Sequence, residues 1–126
     1  MIRDPRLPAM MRLWQDTFGD SDAFVRLFFT RVYRPANALT LTRDGCLAAM
    51  LHIVPYCLSV GHRTLPAAYI CGVCTRPEAR GQGLMTDLMH RALRTMRRRR
   101  FAIATLIPAE PWLFDVYARQ GFVRPI

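Results

Sequence analysis

The sequence predicts an α/β domain of the α+β kind, built on a mixed, mainly antiparallel sheet. Three features predict it. Two helix-like segments open the chain ahead of any strand-like one. Three strand-like segments follow, divided by the turn signals Arg43-Asp44-Gly45 and Gly61-His62-Arg63, as consecutive antiparallel hairpins require. A glycine-rich turn then leads from the third strand into a long amphipathic helix, followed by one more apolar strand and a last helix.

Residues 8 to 18 read as the first helix, with Met11, Leu13, Trp14 and Phe18 as apolar positions. Gly19-Asp20-Ser21-Asp22 is a turn in which Asp20 or Ser21 is placed to cap the next helix. That helix runs to about Tyr33, with Phe24, Leu27, Phe28 and Val32 at helical spacing, and Pro35 ends it. Ala38 to Thr42 is a short strand. Cys46 to Val60 is a long one, expected to bend or bulge near Pro55. Leu65 to Thr75 is the third strand. Gly83 to about Arg99 forms a helix whose apolar face holds Leu84, Leu88, Met89, Ala92, Leu93 and Met96. Phe101 to Ile107 is too uniformly apolar for an exposed edge and is expected in the centre of the sheet. Pro111 to Arg119 is the last helix, with Pro111 in its first turn and Gly121 at its C-terminal cap.

The chain has 126 residues, enough for one domain with its own core, and is 52% hydrophobic, which excludes a disordered chain. No apolar run approaches the roughly 18 residues of a membrane span. Met1 to Arg6 lacks a signal-peptide core, so the expectation is a cytoplasmic protein with no membrane partner. The net charge of +9 comes from arginine alone, since lysine is absent. A phosphate-bearing ligand, nucleic acid or a genome-wide codon preference each account for it. Arg97 to Arg100 lacks the aromatic interleaving of a nucleic-acid track and reads as a solvated helix end that complements the dipole. Cys71-Gly72-Val73-Cys74 has the spacing of redox and zinc sites. It falls on a strand, where residues three apart face opposite ways, and no second cysteine pair follows. Buried reduced thiols and no metal are expected.

The most informative stretch is Arg80-Gly81-Gln82-Gly83-Leu84-Met85-Thr86. A strand, a glycine-rich turn and a helix start present free backbone N–H groups to an anion. Gly81 and Gly83 have no side chain to hold a phosphate away. The pattern is not a Walker loop, which needs lysine, nor a dinucleotide fingerprint, which needs three glycines. It resembles the acetyl-coenzyme A loop of the GNAT superfamily of N-acetyltransferases, Arg/Gln-x-x-Gly-x-Gly/Ala. Arg80 and Gly83 match, and Met85 stands where the last small residue is usual. A second block, Leu113-Phe114-Asp115-Val116-Tyr117-Ala118-Arg119-Gln120-Gly121-Phe122, is similar to the family's late helix with its tyrosine and Gly-Phe end. Val73 to Glu78 is similar to the strand end and Pro-Glu turn that precede the loop.

The resemblance implies helices on both faces of the sheet and direct acetyl transfer from acetyl-CoA to a primary amine, with no covalent enzyme intermediate. It implies that residues 80 to 86 cradle the pyrophosphate. It places the pantetheine arm along the strand end Val73, Cys74 and Thr75, held by the backbone of Val73 and Thr75. It puts Tyr117 where the general acid sits. Glu110, after the fourth strand, is the candidate general base. The family normally ends with two further strands, so the chain reads as a single domain lacking its C-terminal hairpin. An uncovered strand edge of that kind invites a homodimer. Two alternatives stay open. One is a non-catalytic acyl-CoA-binding domain, to which Met85 and the missing strands point. The other is a basic nucleic-acid-binding module, to which only the charge points.

Overall fold

The computed structural model describes residues 3–109 and 112–123. Helices α1 (Leu7–Phe18) and α2 (Asp22–Arg31) lead into strands β1 (Ala38–Arg43), β2 (Cys46–Val60) and β3 (Arg63–Thr75). Helix α3 (Leu84–Arg98), strand β4 (Ile103–Leu106) and helix α4 (Leu113–Ala118) complete the fold. The sheet order is β1-β2-β3-β4. β1, β2 and β3 are antiparallel neighbours, and β4 joins β3 in parallel through the α3 crossover.

Local chemistry sets the helix ends. Gly19 closes α1 in the left-handed conformation at φ 67° and donates to Gln15 O at 2.9 Å. Ser21, not Asp20, caps α2, its hydroxyl accepting from Phe24 N at 3.2 Å. Arg6 straps the segment before α1 to the sheet, donating to Ala38 O at 2.8 Å and Pro35 O at 2.9 Å while paired with Asp4 at 2.9 Å.

The sheet carries a core on each face. Leu84, Leu88, Met89, Ala92 and Met96 of α3 and Tyr117 of α4 pack over Leu51, Ile53, Ala68 and Ile70. On the other face Met10, Leu13 and Trp14 of α1 and Val25, Phe28 and Phe29 of α2 pack over Ala38, Met50 and Cys74. This two-sided cover explains why β2 is buried without interruption from Ala48 to Ile53.

Three expectations need correction. β2 is in regular register at Pro55, opposite Ala68, and its irregularity lies between Met50 and His52. β1 ends opposite His52, so the proline falls where β2 has a neighbour on one side only and its missing N–H breaks no second ladder. β4 is an edge strand among the described residues, not a central one. Its apolar character comes from Ala104 and Leu106 packing on the α3–α4 core rather than from strands on both sides. Cys71 and Cys74 face the same core, not opposite ones. Gly72 between them sits at φ 61°, and the irregularity there shifts the alternation by one.

Among the described residues no helix is long and apolar enough to cross a membrane, and no group of His, Cys, Asp or Glu is placed to hold a metal. Met1, Ile2, Glu110 and Pro111 lie outside the described residues.

Candidate active site

β3 and β4 part company halfway along β3. Their pairing runs from Ala67–Ile103 to Ile70–Leu106 and stops, while β3 continues to Thr75 against β2. The β4 side of Cys71 to Thr75 is therefore an open sheet edge inside the fold. Arg76 N donates to Ala48 O of β2 at 2.8 Å. Strand alternation then turns the backbone of Thr75 and Val73 away from β2, toward the opening, and that of Cys74 toward β2. Thr75 O already accepts from Arg80 Nε at 3.2 Å, which leaves its amide as the free donor. The Cys74 side chain is buried in the α1–α2 core. Cys74 thus reaches the edge with neither backbone nor side chain.

The Gly72 bulge shapes this opening. A Cβ on Gly72 would lie 2.4 Å from Trp14 Cζ3 and 2.9 Å from His52 Cδ2. The indole and imidazole are thus pressed directly on the strand where it leaves β4. His52 is only 2% exposed, ringed by Trp14, Phe28, Phe29 and Tyr33, and its Nε2 has no hydrogen-bond partner. Burial, helped by the Arg6 charge, lowers its pKa to about 4, so it stays neutral.

Beyond Thr75 the chain turns through Pro77–Ala79 and the exposed residues 80–83 into α3. Gly81 and Gly83 sit at φ 78° and 77°, and a Cβ at either would meet nothing within 4 Å. Gly83 is the N-cap of α3, so the amides of Leu84, Met85 and Thr86 begin the helix without intrahelical acceptors. Leu84 is buried in the α3–α4 core at 1% exposure and offers only its backbone outward. The open β3 edge, the glycine turn and the free amides follow one another along the chain from Cys71 to Thr86.

A cavity of about 550 Å³ lies where the strands part. Ile70 to Val73, Leu106, Ile107 and Leu113 line it, and Tyr117 closes it from α4. Tyr117 is 8% exposed, and burial, then the neighbouring Cys74, raises its pKa above the usual phenol value. Its hydroxyl is therefore protonated at neutral pH and available as a donor. Burial likewise raises the Cys71 and Cys74 thiols to about 12, which removes both as nucleophiles. Cys46 and Cys57 are exposed and free. The far wall of the cavity holds Trp14, Phe18, Asp20 and Phe24. None of these figured in the sequence-based candidate site. The isolated glycine inside a strand pattern at Gly72 was the one available signal for that wall.

A family model, the acetyltransferase (GNAT) domain, matches residues 2–124. An uncharacterized N-acetyltransferase of Streptomyces avermitilis is 33% identical over 89 residues, which are 70% of this chain and 21% of the relative. The chain therefore spans about a fifth of that relative's length. A GCN5-related N-acetyltransferase from Kribbella flavida is 26% identical with a TM-score of 0.77, covering 91% of this chain and 30% of that one. A predicted acetyltransferase from Clostridium acetobutylicum, crystallised with acetyl-CoA, superposes with a TM-score of 0.79 at 17% identity, covering 95% of this chain and 85% of that one.

Proposed function

Because the chain belongs to the GNAT acetyltransferase family, we propose that it transfers the acetyl group of acetyl-CoA to a primary amine by direct attack. The observation that carries this reading is the parting of β3 from β4 at Ile70 and Leu106, with Tyr117 buried in the resulting cavity. An open strand edge is a template for a ligand amide chain, as it is for a peptide. The Val73 amide and carbonyl and the Thr75 amide would hold the two amides of pantetheine. Gly81, Gly83 and the free amides of Leu84 to Thr86 would hold the pyrophosphate, with Gln82 and Arg80 flanking it. The side-chain-free space over both glycines fits that group.

Acetyl-CoA supplies a thioester, whose carbonyl carbon accepts the amine nitrogen. A C–N bond forms, the C–S bond breaks, and the amine loses a proton. Tyr117 donates its phenolic proton to the departing sulfur, where negative charge develops. Its raised pKa makes it a stable proton store rather than a base. Glu110 remains the proposed base, by its sequence position after β4. The buried thiols take no part. Tyr117→Phe tests this assignment. It removes the proton and little else, so kcat for free-thiol release should fall at least tenfold while acetyl-CoA affinity holds within about twofold. Unchanged turnover would take Tyr117 out of the mechanism.

A further inference from the structure

The cavity that reaches Tyr117 runs the other way to the turn between α1 and α2. There its wall is Trp14, Phe18, Phe24, Phe28 and Val32. Phe24 is 46% exposed and Val32 39%, leaving an apolar rim in water at the mouth. Among the described residues lining the cavity, Asp20 is the only charged one, in a chain of net charge +9. Ring faces and a carboxylate both attract cations. Arginines on the outer surface are screened beyond a Debye length of about 8 Å and do not cancel that local preference.

The position of Asp20 matters as much as its charge. Trp14 Nε1 donates to Asp20 Oδ2 at 2.8 Å, while the far edge of the same indole presses on Gly72. The carboxylate therefore stands one indole ring and one hydrogen bond away from the opening in the sheet. Set back behind the indole, Asp20 meets a different part of the substrate. Its Oδ1 remains to accept from it.

Resting on the acetyl-transfer reading, we infer that the acceptor is an amine with two positive ends. An apolar body lies on Trp14 and Phe24, one nitrogen sits at the opening to be acetylated, and a second cationic group pairs with Asp20. Asp20 is then the residue that determines specificity for the far end.

Three six-carbon probes test this: 1,6-diaminohexane, hexylamine and 6-aminohexanoate, whose far ends are positive, neutral and negative. Calorimetric binding to the whole chain should favour the diamine over hexylamine by about tenfold, the worth of a hydrogen bond between charged groups, with the amino acid weakest. Asp20→Asn keeps an oxygen for Trp14 Nε1 and should abolish the order. Equal binding of diamine and hexylamine to the parent chain overturns the inference without recourse to any variant, as does an order that survives Asp20→Asn. Free-thiol release with the same amines separates the two readings. Release at equal efficiency from all three leaves acetyl transfer standing and refutes the second cation site. The expected binding order with no release from any amine refutes acetyl transfer and leaves the cation site.

Discussion

Replacing Gly72 by alanine adds one methyl group at the point where three parts of the fold meet. The backbone there is at φ 61°, a conformation that costs a non-glycine residue roughly 1–2 kcal/mol. The new Cβ would lie 2.4 Å from Trp14 Cζ3 and 2.9 Å from both His52 Cδ2 and Trp14 Cε3. Trp14 cannot back away freely, because its Nε1 is bonded to Asp20 and its ring packs on Phe28 at 4.4 Å. Overpacking of this kind costs roughly 1–3 kcal/mol. The expected loss is thus about 2–5 kcal/mol, out of a total of roughly 5–15 for a domain. Gly81→Ala is the matched control. It sits at φ 78° with nothing within 4 Å of the added carbon, so it carries the backbone strain without the clash. Urea unfolding followed by tryptophan fluorescence reads the difference, since Trp14 is buried and Trp112 is 66% exposed. Gly72→Ala should lie at least 1 kcal/mol below Gly81→Ala. Equal losses in the two variants would refute the close packing of Trp14 and His52 on β3.

Two further outcomes follow from the same geometry. His52 has its pKa lowered from 6.5 to about 4, so below pH 6.5 the unfolded chain binds a proton that the folded chain refuses. Stability should fall as the pH drops from 6.5 toward 4, by about 3 kcal/mol in all, and His52→Phe should flatten that slope in urea titrations. A slope unchanged in the variant would assign the acid loss to other groups. Gly83→Val should lower acetyl-CoA affinity by more than tenfold, because a branched side chain would fill the open space before the α3 amides. Parent-like affinity would mean that no phosphate approaches there.

Much of this fold was legible because local chemistry decided it. The hairpin turns, a cap at Asp20 or Ser21, the glycine entry to α3 and the apolar face of that helix are each set by residues within a few positions of one another. What escaped were features decided across the sheet. Alternation assigned Cys71 and Cys74 to opposite faces, and the Gly72 irregularity reversed that. The uniform run Phe101 to Ile107 gave no sign that β4 would be an edge, because a helix layer buries apolar side chains as well as neighbouring strands do. Of the candidate site, the loop and Tyr117 came from motif spacing; Tyr117 lines the cavity where β3 and β4 part, and the loop follows β3 along the chain. The Trp14–Asp20 wall was invisible, since aromatic residues at helical spacing read as ordinary core. Its distinguishing bond joins a helix to the turn that follows it.

The central claim is that the free edge of β3 takes the pantetheine arm of acetyl-CoA, and amide hydrogen exchange tests it residue by residue. On saturation with acetyl-CoA, the amides of Val73 and Thr75 should slow together with those of Leu84 to Thr86, because each gains an acceptor it lacks in the free chain. The Cys74 amide, already turned toward β2, should change least. Saturable binding that leaves Val73 and Thr75 exchanging as before, or that protects the outer edge of β4 instead, would contradict the account.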